Sequence, residues 1–110
     1  MHELQNLMHQ LITGGYETTQ SAINHGMWAL IRFPDIAEKI YEDESLLKPF
    51  IEEVLRWESP VQFLLRRTSK DVEVSGTIIP KDSMVMMGYG PANRDEEKFS
   101  CPHQHLFLQA

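Results

Sequence analysis

The sequence holds a single cysteine, Cys101, in 110 residues, so no disulfide can form within the chain and a stapled secreted fold is not indicated. Its longest wholly apolar run is Met27 to Ile31. That is far short of the roughly 20 residues a membrane span requires. Positive charge is scarce: 10 Lys and Arg stand against 16 Asp and Glu, for a formal net charge of -6. Nucleic acids and anionic membranes are bound through clustered Lys and Arg, and here only Arg66, Arg67 and Lys70 cluster. Neither partner is expected. The opening residues Met1-His2-Glu3-Leu4 lack the basic and apolar stretches of a signal peptide, which makes a reducing, cytoplasmic setting the expectation. What is present, 42% hydrophobic residues over one domain's length at most, is the composition of a globular protein.

From Leu4 to Phe33 the apolar residues Leu4, Leu7, Met8, Leu11, Ile12, Ile23, Met27, Leu30 and Phe33 recur at spacings of three, four and seven. That spacing predicts one helix. Thirty residues would reach about 45 Å at 1.5 Å each, against a mean globular helix of about 11 to 12 residues. Such a helix outruns any core this chain can build, so it either bridges partners or belongs to a larger protein. Pro34 ends it. Asp35 to Tyr41 reads as a second helix with Ile36, Ala37 and Ile40 inward, and Ser45 opens a third, with Pro49 tolerated in its first turn. Leu47, Phe50, Ile51, Val54 and Leu55 form the apolar stripe of that third helix.

After Pro60 the period shortens. Leu64 to Ser69, Val72 to Val74, Thr77 to Ile79 and Met84 to Tyr89 read as strands, separated by turn-forming residues. Val74-Ser75-Gly76-Thr77 predicts a tight hairpin, and Asn93-Arg94-Asp95 a capped start for a last helical turn through Lys98. Methionines 84, 86 and 87 are expected to be adaptable core residues. The fold class is α+β, helices first and then a small antiparallel sheet, in one partial domain: 1–58 helical, 59–99 β-rich, 100–110 a tail.

The chemistry concentrates in two places. Gly14 and Gly15 sit in the middle of the long helix, where each costs about 1 kcal/mol relative to alanine. Glycine there admits another backbone or a flat ligand more closely than any Cβ would. Glu17, Thr18 and Thr19 follow at once, and a mid-helix threonine can turn its hydroxyl onto a carbonyl one turn back and distort the helix. Packing of the glycine pair with a solvated Glu17 remains the alternative for these six residues alone. On the third helix, Arg56 can pair with Glu52 four residues away or with Glu53 three away, and spacing alone slightly prefers Glu52.

Gly14-Gly15-Tyr16-Glu17-Thr18-Thr19 resembles the oxygen-activation segment of the cytochromes P450, the haem-thiolate monooxygenases, and Glu53-Val54-Leu55-Arg56 resembles that family's Glu-x-x-Arg helix. Ser59-Pro60-Val61-Gln62, Arg66 ahead of Asp71-Val72-Glu73, and Ala92-Asn93-Arg94-Asp95 with Phe99 continue the series in the order of the soluble microbial members. The resemblance implies haem-dependent hydroxylation of a small organic substrate. It implies that Gly14 and Gly15 let the helix pass over the haem face, that Thr18 holds dioxygen and water by hydrogen bonds, and that Glu17 relays protons inward. Arg66 would neutralise a haem propionate, and Glu53 with Arg56 would form a structural ion pair, which reverses the preference for Glu52.

The likeness ends near Ser100. A P450 needs a cysteine thiolate on the iron, in a Phe- and Gly-rich loop, whereas Cys101 is followed by Pro102-His103-Gln104-His105 and no glycine follows Gly90. Cys101, His103 and His105 show no fourth ligand nearby, so they read as a tail and not a metal site. His25 reads as a packed or exposed polar residue. The expectation is therefore a truncated P450 that by itself neither binds haem nor turns over. The bare face of its long helix is expected to drive homo-oligomerisation, and a redox partner would belong only to a full-length parent. The alternative function is a non-catalytic self-associating helical module on a P450-derived scaffold.

Overall fold

The three-and-four spacing yields one unbroken helical rod in the computed structural model, which describes residues 2–103. The rod comprises α1 (His2–Ile12), a π-helical segment (Thr13–Glu17) and α2 (Thr18–Arg32). Phe33 leaves helical geometry while its N–H still bonds the Ala29 carbonyl, and Pro34 then begins α3 (Pro34–Glu42) at the position where a missing N–H costs least. The Asp43 carboxylate accepts the Ser45 N–H and starts a 3-10 turn, Glu44–Leu46, that leads into α4 (Leu47–Trp57). Hydrogen bonding from the Ser45 hydroxyl first, and from this N–H second, holds the Asp43 pKa below its ordinary value.

The core is small and lies where three helices meet. Ala29 of α2, Ile36 of α3, and Phe50 and Val54 of α4 are buried, with Leu30, Phe33 and Ile40 packed against them. Beyond that cluster the rod runs bare: no residue of α1 is buried. The chain exposes 8904 Å², where a compact monomer of 12.8 kDa exposes about 6,300 Å². Its radius of gyration is 18.2 Å, against about 13 Å for a compact domain of this length. Among the described residues no helix is long and apolar enough to cross a membrane.

The β half is two antiparallel ribbons and not one continuous sheet: β1 (Phe63–Arg67) pairs with β4 (Met84–Gly88), and β2 (Val72–Val74) with β3 (Thr77–Ile79). Ser75 (φ 48°) and Gly76 (φ 78°) are both left-handed, which makes the hairpin a I′-type turn matched to strand twist. Thr68 ties the two ribbons together. Its N–H donates to the Ser83 carbonyl at 3.1 Å and its hydroxyl to the Pro80 carbonyl at 2.6 Å.

Three expectations are corrected here. Met84 and Met86 are not core residues but exposed at 59% and 64%, because a two-stranded ribbon has no second layer to cover that face. The fourth strand stops at Gly88, and Tyr89–Ala92 forms a short helix, α5, anchored by the Gly90 N–H on the Gln62 carbonyl at 3.1 Å. The capped segment after Asn93 is a turn: the Asp95 carboxylate accepts the Glu97 N–H and its carbonyl the Lys98 and Phe99 N–H groups.

Candidate active site

The π-helical segment spans Thr13–Glu17 and so contains both glycines and the acid. Its cause is local. Gly14 and Gly15 hold helical geometry weakly, and the flanking threonines compete for the carbonyls one turn back. The Thr13 hydroxyl donates to the His9 carbonyl, and the Thr18 hydroxyl to the Gly14 carbonyl at 3.3 Å. A π segment opens a helix by one extra residue and recurs at functional sites. Thr18 is half-buried, whereas Gly14, Gly15 and Glu17 are exposed.

Nothing among the described residues requires those glycines. A Cβ at Gly15 would meet no atom within 4 Å, and one at Gly14 would meet only the Gln10 Nε2 at 3.4 Å, an ordinary contact. The space they keep is open to something outside these residues. Gly15→Ala is therefore expected to stabilise the chain by about 0.5 to 1 kcal/mol, read as a rise in the urea midpoint. Destabilisation would mean that the chain itself needs the gap.

The second constellation centres on Arg56, whose side chain is 8% exposed beside Glu53 at 6%. Its Nε donates to Glu53 Oε2 and its Nη2 to Glu53 Oε1, both at 2.7 Å, a bidentate pair. Its Nη1 donates to the carbonyls of Asn93 and Pro102, each at 2.9 Å, and the guanidinium lies 5.2 Å from the centre of the Phe99 ring. Glu52 is exposed. The Glu53 hydrogen bonds raise the Arg56 pKa against the opposing effect of burial, with Coulomb attraction adding. One buried cation thus ties α4 to the segment that carries residues 93–102.

The same end of α4 holds contacts that local spacing did not reveal. The Arg94 Nη2 donates to the Trp57 carbonyl at 2.8 Å, and His25 Nδ1 donates to the Glu58 carbonyl at 2.9 Å. Trp28 and Trp57 stack with ring centres 5.5 Å apart. All three link residues more than 28 positions apart in the chain, so no short motif could announce them. Arg66 stands exposed on β1 opposite Val85, its Nη1 donating to the Leu65 carbonyl at 3.0 Å. No described contact brings it to the π segment.

These residues can be set against the haem that the resemblance implies. The open glycines and the Thr18 hydroxyl suit one face of a flat group, and exposed Arg66 suits a carboxylate. An axial ligand is the difficulty. Cys101 has a left-handed backbone (φ 53°) and is exposed, in a hollow of about 400 Å³ that it shares with Glu96, Phe99, Ser100, Pro102 and His103. That hollow lies by the Arg56 clamp. Among the described residues no three His, Cys, Asp or Glu side chains come together as a metal site, and His105 lies outside them. The described residues do not fit haem by themselves.

A sequence model of the cytochrome P450 family matches residues 1–106, which carries the likeness past Ser100. The chain is 39% identical over 101 residues to the methyl-branched lipid omega-hydroxylase of Mycobacterium tuberculosis, covering 91% of this chain and 24% of that one. It is 43% identical over 96 residues to the vitamin D(3) 25-hydroxylase of Pseudonocardia autotrophica, covering 86% and 24%. In three dimensions it superposes on the tirandamycin C-bound P450 monooxygenase TamI with a TM-score of 0.81 and 36% identity, over 90% of this chain and 25% of that one. It thus spans about a quarter of the length of the relatives it matches.

Proposed function

The chain belongs to the cytochrome P450 family, and on that premise we propose that it is the oxygen-activation and fold-bracing portion of a monooxygenase that hydroxylates an apolar organic substrate. The observation that carries this reading is the π segment, which groups Gly14, Gly15 and Glu17 directly ahead of Thr18, the first residue of α2. The relatives named for lipid and vitamin D(3) hydroxylation favour an apolar substrate. Haem, implied by the family, supplies the dioxygen chemistry when a full-length protein binds it. The chain's own contributions are narrower. Gly14 and Gly15 keep one side of the rod open, the Thr18 hydroxyl exchanges its Gly14 carbonyl for a polar guest or water, and Glu17, in reach of solvent, holds and releases a proton. Glu53 and Arg56 brace. Arg66 is the candidate for a propionate. Residues 1–110 are read as one partial domain, with a cytoplasmic setting and an electron-donating partner belonging to the whole protein.

A hybrid tests this. With residues 2–99 exchanged into the mycobacterial omega-hydroxylase, hydroxylation is expected to survive, and Thr18→Ala in that hybrid is expected to consume electrons without hydroxylating. A hybrid that folds and binds haem but hydroxylates nothing would overturn the reading. The chain alone, given hemin, is expected to show no thiolate-type band in the reduced, CO-bound spectrum; a stable band abolished by Cys101→Ser would reverse that part.

A second reading, self-association, draws on the bare rod. Leu4 and Leu7 are each 64% exposed and Leu11 66%, and apolar patches of this extent are normally covered by another surface. Light scattering at low micromolar concentration decides it. A dimer or larger assembly supports the module, and a clean monomer removes it.

A further inference from the structure

We propose that His25 is a positioning residue that sets the rotation of the central helix against α4, and through it the direction in which Thr18 points. His25 lies seven residues after Thr18 on α2, two turns or about 10 Å further along and within about 20° of the same face. Whatever fixes the azimuth of His25 therefore fixes that of Thr18. Its Nδ1 meets the Glu58 carbonyl at 2.9 Å, and an acceptor that is a carbonyl requires the proton to sit on Nδ1. That carbonyl follows the last turn of α4, where helical carbonyls lack partners of their own. The bond satisfies the acceptor and locks the ring.

Apart from the Trp28–Trp57 stack, the rest of the α2–α4 contact is poor at fixing rotation. Ala29, Phe50 and Val54 meet as apolar surfaces, and burial is not directional. Beside them an apolar groove of about 260 Å³ runs between Ile23, Met27 and Leu30 on one side and Phe50, Ile51 and Val54 on the other, so α2 has room to turn. The hydrogen bond supplies the direction that packing omits. Trp28, one turn after His25, stacks on Trp57, next to Glu58. The indole pair is thus a built-in reporter of the same setting.

The consequence for Thr18 rests on the monooxygenase reading, but the test does not. In the 110-residue chain, His25→Leu, which cannot donate, is expected to lose more than half of the near-ultraviolet circular dichroism of the stacked indoles while keeping the far-ultraviolet helix signal. His25→Asn, whose Nδ2 stands where the ring Nδ1 does and can donate to the same carbonyl, is expected to keep both. Retention of the indole signal by His25→Leu would overturn the proposal, and so would equal loss in both variants. If His25→Leu fails to fold, a native signal and melting midpoint in His25→Asn still support it, and unfolding of both rejects it in favour of simple ring packing. Because no haem enters this measurement, a failed hybrid enzyme and a failed positioning role are separate results.

Discussion

Replacing Arg56 with methionine is expected to lower the unfolding free energy by about 3 to 5 kcal/mol, because removing one partner of a buried ion pair leaves the other charge poorly compensated. The Glu53 carboxylate, 6% exposed, would lose both of its 2.7 Å hydrogen bonds from the guanidinium. The carbonyls of Asn93 and Pro102 would lose a donor as well. A buried acceptor left unsatisfied costs about 1 to 3 kcal/mol. The double replacement Glu53→Met with Arg56→Met separates these contributions, since an apolar pair of similar volume can replace a buried ion pair at little net cost. Part of the loss should therefore return in the double variant, but not the tie to residues 93–102. Urea midpoints give the energies, and amide exchange at Phe99 reports whether that segment has detached. A double variant as stable as the parent, with Phe99 still protected, would show that the two backbone bonds contribute nothing.

That cation also marks the limit of what the sequence discloses. Spacing offered Arg56 two acids of nearly equal merit; the Glu-x-x-Arg resemblance favoured Glu53, and the burial of Glu53 with the exposure of Glu52 supplies the physical reason. Burial is a property of the packed helices, not of a window of residues. The elements themselves were legible, because Pro34 ends the rod whatever surrounds it and the α4 stripe of Phe50, Val54 and their neighbours leaves one face to pack. The left-handed Ser75-Gly76 turn was legible for the same local reason. The π segment was half legible: glycines and threonines announced a distortion, but not its register. His25, Trp28 and Arg94 were not legible as contacts, since their partners lie far along the chain. Met84 and Met86 misled because alternation assumes a second layer, and β1 with β4 has none.

The core predicts the other large loss. Phe50→Ala is expected to cost about 3 to 5 kcal/mol, the usual range for truncating a buried aromatic ring. Phe50 is 3% exposed and shares its site with Ala29, Ile36 and Val54, residues from all three helices that meet there. Typical stability of about 0.05 to 0.15 kcal/mol per residue would give a chain this long roughly 5 to 16 kcal/mol. This chain belongs at the low end, since it exposes 8904 Å² where about 6,300 Å² is usual. The substitution therefore removes the one aromatic ring among the four buried residues of that junction. Ile31→Ala is the control: Ile31 is 77% exposed, so its truncation should move the urea midpoint by an amount equivalent to no more than about 0.5 kcal/mol. Far-ultraviolet circular dichroism in water should show Phe50→Ala largely unfolded while Ile31→Ala keeps its helices. Equal effects from the two would mean that the three-helix junction is not what stabilises this chain, and that the bare rod finds its stability in another surface.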